Sequence, residues 1–145
     1  MKILGLLGLL TVTILLTTVM PDQRFDEYGN LCVDDEKARL DNFAITLKNH
    51  SEWIGYIIVY AGRHSCINEA KYRGNRAKDW VVKGGVAADR VVVVDGGYKA
   101  EVVTDLEIEP NGARARHLLP DLDKKQVSIH KCVDKVFARK FCPTK

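Results

Sequence analysis

The sequence predicts an α/β sandwich with a mixed sheet, and three observations carry that prediction. Two stretches have helical apolar spacing, two short runs are almost wholly apolar, and a further run alternates apolar with acidic residues. Helix, strand, helix, strand, turn, strand is an order that builds helices against a sheet. The 145 residues, 46% hydrophobic and 28% charged, suit one small domain. They exclude collagen, a long coiled coil, a repeat array and a mostly disordered chain. A net charge of +3 is too weak to argue for nucleic acid, and none is expected as a partner.

The first helix opens at Asp34-Asp35-Glu36, acidic residues that cap a helix and suit the positive end of its dipole. Leu40, Phe43, Ala44 and Leu47 follow as one apolar stripe. Gly55 then opens Tyr56-Ile57-Ile58-Val59-Tyr60, closed by Ala61-Gly62, which reads as a strand buried on both faces. A second helix is expected from about Ile67 to Lys83, with Ala70, Gly74, Ala77 and Val81 as a small-residue stripe for close packing and Gly84-Gly85 as its stop. Arg90-Val91-Val92-Val93-Val94 is another central strand, and Asp95-Gly96-Gly97 reads as a turn. From Ala100 to Glu109, Val102, Thr104, Leu106 and Ile108 share one face. Glu101, Asp105, Glu107 and Glu109 share the other, which reads as solvated. The crossover between the two apolar strands implies a parallel, right-handed pair. Residues 23–31 are a weaker candidate for one more strand.

Domain organisation follows composition. Met1-Lys2 precedes an uncharged run from Ile3 to Met20, so residues 1–20 read as a signal peptide or, if uncleaved, an N-terminal membrane anchor. Either places the remainder outside the cytoplasm. Residues 21–110 hold 12 basic against 16 acidic residues, a net −4, whereas residues 111–145 hold 9 against 3, a net +6. A slightly acidic domain is therefore followed, after Pro110-Asn111-Gly112, by a basic tail. Ile129, Cys132, Val133, Val136 and Phe137 fall on one helical stripe in that tail. Such a helix docks on the domain, dimerises or lies on an anionic surface; docking requires no partner. The tail's charge also suits its own domain's acidic strand face.

Cys32, Cys66, Cys132 and Cys142 make an even count in an exported chain, the pattern of disulfides. In the expected fold, the start of the first helix and the loop after the central strand share one end of the sheet, which points to Cys32–Cys66. Cys132 and Cys142 would then pair, although on one straight helix they would stand about 15 Å apart. His64-Ser65-Cys66 and His130-Lys131-Cys132 together would make a two-nitrogen, two-sulfur metal set, but disulfide cysteines are the simpler reading. No metal or cofactor is expected. No nucleophile elbow, zinc-protease helix or phosphate loop occurs in the sequence, so no catalytic residue is assigned and no enzyme is expected.

The order of elements resembles the OmpA C-terminal-like domain, the peptidoglycan-associated module of bacterial envelope proteins. The resemblance spans about residues 28–110. It rests on Asp35-Glu36-Lys37-Ala38-Arg39-Leu40-Asp41-Asn42-Phe43-Ala44, Gly55-Tyr56-Ile57-Ile58-Val59-Tyr60, Asn75-Arg76-Ala77, Gly85-Val86-Ala87-Ala88-Asp89-Arg90-Val91 and Thr104-Asp105-Leu106-Glu107-Ile108. It implies a β-α-β-α-β-β order with both helices on one face of the sheet. It also implies a periplasmic or envelope location and a clamp for the diaminopimelate of peptidoglycan: an Asp for the ligand's ammonium and an Arg for its carboxylate. Arg76 falls on the Arg position. The Asp position falls at Ala61-Gly62, where no carboxylate stands and Arg63 follows. Arg76 is thus the expected ligand contact, with Arg63 and Arg73 beside it, and Glu69 or Asp79 as stand-ins for the missing acid. The expected partner is peptidoglycan or another anionic envelope component. The alternative is a disulfide-stabilised interaction module that meets a partner through its basic tail.

Overall fold

The computed structural model describes residues 24–113 and 117–132. The segment 1–20, the later part of the expected tail helix and Cys142 lie outside the described residues. The chain runs β1 (Arg24–Tyr28), α1 (Val33–Asn49), β2 (Trp53–Ala61), β3 (His64–Cys66), α2 (Glu69–Lys83), β4 (Val91–Tyr98), β5 (Val103–Pro110) and β6 (Ser128–His130). Four strands form a sheet ordered β1-β5-β2-β4, with β2 parallel to β4 and antiparallel to β5. The fold is the expected α/β sandwich, with the weak segment before the first helix supplying the edge strand β1.

Both helices contribute to one core. Leu40, Phe43, Ala44 and Leu47 of α1 and Ala70, Ala77 and Val81 of α2 cluster with Ile57, Val59, Ala61, Val91 and Leu106 of the sheet. The small stripe of α2 works as expected, because a side chain at Gly74 would run into Val93 of β4. At Gly55 an added Cβ would lie 2.6 Å from Leu47 Cδ1.

Arg90 ties the bottom of this core together. Its guanidinium donates to the carbonyls of Leu47 (2.8 Å), His50 (2.6 Å) and Trp53 (2.7 and 3.0 Å). Those carbonyls close α1 and the turn into β2, and helix C-termini leave such acceptors unpaired and partly negative. Arg90→Ala is expected to cost about 2 kcal/mol in a urea melt, since three acceptors lose one donor.

Two strand expectations are corrected. Asp95-Gly96-Gly97 is not a turn but continues β4 through a bulge, where Val59 faces Asp95 and Tyr60 faces Gly97. The glycines permit this: Gly97 has φ +88°, and a Cβ at Gly96 would sit 2.6 Å from the Tyr60 ring. The acidic face of β5 is not solvated either. Asp105, Glu107 and Glu109 are only 3, 2 and 1% exposed.

The tail explains part of that burial. After Pro110 the chain returns behind the sheet, on the face away from the helices. Tyr56 donates its hydroxyl to Ala113 O (3.3 Å), Leu119 N–H donates to the Tyr60 hydroxyl (3.3 Å), and Leu122 bridges Tyr98. Alternation identifies two faces of a strand; it does not say whether later chain covers the second. The expected tail helix is also corrected at its start. Ile129 lies in β6, which pairs in parallel with β3, so this stretch is extended.

Candidate functional site

Beyond the carboxyl end of β2 lies a cleft of about 380 Å³, walled by the start of α1, the β2–α2 connection, the first turns of α2 and the β4–β5 turn. Arg63, Arg73 and Arg76, the three expected ligand contacts, all line it. Topology explains the convergence. α2 follows β2 directly and α1 runs back toward β2's start, so both helix N-termini come to this end of the sheet.

The three arginines are not equivalent. Arg76 donates to the Glu36 carboxylate at 2.5 Å, and the Glu36 side chain is 10% exposed. Arg73 Nε donates to Glu69 Oε1 at 2.9 Å and Arg73 Nη1 to Asn30 Oδ1 at 3.4 Å. Glu69 also accepts the backbone N–H of Cys66 at 3.0 Å. These pairs fasten α2 to α1 and to the loop before it. Arg63 is exposed, and its guanidinium has no side-chain partner among the described residues. Of the two stand-in acids, Glu69 lines the cleft and Asp79 does not.

The Ala61-Gly62 position is closely packed. Ala61 is 4% exposed, and a Cβ at Gly62 would lie 3.3 Å from the backbone nitrogen of Val102. The β4–β5 turn therefore lies close against this position, and a side chain there would have to push it back by a few tenths of an ångström. That turn carries Glu101, which lines the same cleft. Sequence reasoning assigned Glu101 to a solvated strand face, because nothing local showed which residues the turn would face.

The cysteine pairing is a correction. Cys66 bonds to Cys132, with Cα atoms 5.5 Å apart, not to Cys32. Cys32 is itself disulfide-bonded, so no described cysteine is free. The spatial premise was sound, since Leu31 and Cys66 line the same cleft. What it missed was β6. Its register sets His130 opposite Cys66, with hydrogen bonds from Ser128 N–H to Arg63 O (2.8 Å) and from Ile67 N–H to His130 O (3.0 Å). This sets Cys132 beside Cys66. The two His-x-Cys pairs do meet, but their sulfurs are bonded to each other. No group able to hold a metal ion occurs among the described residues. No helix among them is long and apolar enough to cross a membrane.

No family model matches the chain, and no curated protein matches it.

Proposed function

We propose that this is an exported, non-catalytic cell-envelope protein whose cleft binds peptidoglycan through arginine–carboxylate contacts. The observation that carries the reading is the convergence of Arg63, Arg73 and Arg76 on one cleft. Guanidinium forks suit carboxylates, which recur along the peptide stems of the wall. The β-α-β-α-β-β order within residues 24–110 supports the resemblance to the OmpA C-terminal-like domain, with the short β3 as an addition. The disulfide supports export, because such bonds persist in oxidising compartments. The alternative is a disulfide-stabilised interaction module that meets a partner or an anionic surface through its basic tail, of which residues 117–132 are fastened to their own domain.

Co-sedimentation of the oxidised protein with isolated sacculi tests the reading. Pelleting with sacculi but not with cellulose particles is expected, and Arg63→Glu should abolish it. Failure to pellet would remove the wall from consideration. Arg76→Ala alone is a poor test, because it strands the buried Glu36 and lowers stability along with any binding.

A further inference from the structure

Each His-x-Cys pair sets an imidazole and a sulfur on one face of its chain segment, because residues two apart in extended chain point the same way. On β3 that face is the outer one, since Ser65, between His64 and Cys66, is buried at 2% exposure. β3 and β6 then lay the two pairs side by side. Cys66 stands opposite His130 in the parallel register, and Cys66 and Cys132 are bonded with Cα atoms 5.5 Å apart. The Cys132 sulfur lies 4.0 Å from the His130 carbonyl oxygen, and His64 borders the cleft together with Cys66. Neighbouring strands lie about 4.8 Å apart, and residues two apart are about 6.6 Å apart along one, so the four side chains start within reach of a common point. Both histidines are exposed and both cysteines half-buried. While the sulfurs are bonded to each other they offer no thiolate, and the described residues hold no metal group. Reduction frees two thiolates beside two imidazoles, the donor set of a closed tetrahedral zinc site. Two thiolates also balance the double charge of the ion.

We propose that, once reduced, Cys66 and Cys132 bind one zinc(II) ion together with His64 and His130. The reductant is a dithiol: it passes two electrons and two protons to the Cys66–Cys132 bond and itself closes to a disulfide. Zinc then displaces both protons from the new thiols, and the histidines bind as neutral imidazoles. The ion replaces the covalent bond as the clasp between β6 and β3. The site is independent of wall binding.

Cobalt(II), which colours tetrahedral thiolate sites, is the first probe. The protein reduced with a phosphine under nitrogen is expected to take up one cobalt ion per chain with a thiolate-to-metal absorption band, bleached by one equivalent of zinc. The oxidised protein should show no band. His64→Ala and His130→Ala, both at exposed positions, should each weaken zinc binding more than about tenfold, the scale on which even the outer partners of a metal site act. Reduced Cys66→Ser/Cys132→Ser should stay colourless. Zinc should also restore slow amide exchange at Ile67 and Ser128 in the reduced wild type, because their N–H groups bond across the β3–β6 pair and its flanks. A reduced wild type without the band would overturn the site. So would a band that survives both histidine substitutions or the removal of the cysteine pair. None of these readouts depends on sacculi, so failure of wall binding leaves the site standing and its own failure leaves wall binding standing.

Discussion

The double variant Cys66→Ser/Cys132→Ser is expected to lose about 4 kcal/mol relative to the oxidised protein. The bond joins residues 66 apart in sequence, and closing a loop of that length removes on that order of entropy from the unfolded chain. The local structure has little to replace it. β3 and β6 are three residues each, and a two-stranded pair so short does not hold by itself in water. Loss of the bond should therefore release both the Ser128–Arg63 and the Ile67–His130 hydrogen bonds and loosen the wall that carries Arg63. Non-reducing urea melts measure the loss directly. A difference under about 1 kcal/mol would show that the tail is held by its contacts with Tyr56, Tyr60 and Tyr98 instead. Peptide mapping under non-reducing conditions should recover Cys66 joined to Cys132 and no Cys32–Cys66 product.

Asp105→Asn is expected to stabilise the protein by up to about 3 kcal/mol at neutral pH. Burial pushes the Asp105 carboxyl up to about 6, aided by its hydrogen bond to the Glu27 carboxyl across the β1–β5 pair. Arg24 and Lys99 oppose the shift without cancelling it. The sign follows from proton counting. In the unfolded chain Asp105 ionises near 3.8; in the folded protein it holds its proton until about 6. Between those values the native state binds more protons, so Asp105's contribution favours folding fully below about 4 and fades as pH rises to 6. The Asn variant lacks this slope. Thermal melts of both proteins from pH 4 to 8 should give matching midpoints at the acid end and a higher midpoint for Asp105→Asn above pH 6. Equal midpoints throughout would place Asp105 in water.

The helices were legible because their stripes answer to local spacing. Leu40, Phe43, Ala44 and Leu47 and the Ala70–Val81 set occupy the core as their periodicity required. The two parallel strands were legible because both faces are apolar where they cross the middle of the sheet. The convergence of Arg63, Arg73 and Arg76 was legible from element order, which fixes the end of the sheet each residue reaches. Three things were not. The bulge that keeps Asp95-Gly96-Gly97 in β4 depends on where the Tyr60 ring lies, a contact between strands far apart in sequence. The burial of Asp105, Glu107 and Glu109 depends on what packs over that face, chain beyond Pro110 included, which alternation within β5 cannot report. The disulfide pairing turns on β6, three residues with no strand signature of their own, whose register with β3 sets Cys132 beside Cys66.

β4 stands at the margin of the sheet, and Val91 to Val94 lie along it. Unpaired strand margins rich in valine invite another chain to add on, the first step toward ordered aggregates. Among the described residues the outer side of β4 is met near its carboxyl end, where the Tyr98 carbonyl accepts the N–H groups of Asp121 and Leu122. The returning tail thus serves as a stopper on the strand most prone to recruit a neighbour, and its release on reduction would turn a fold problem into a solubility problem.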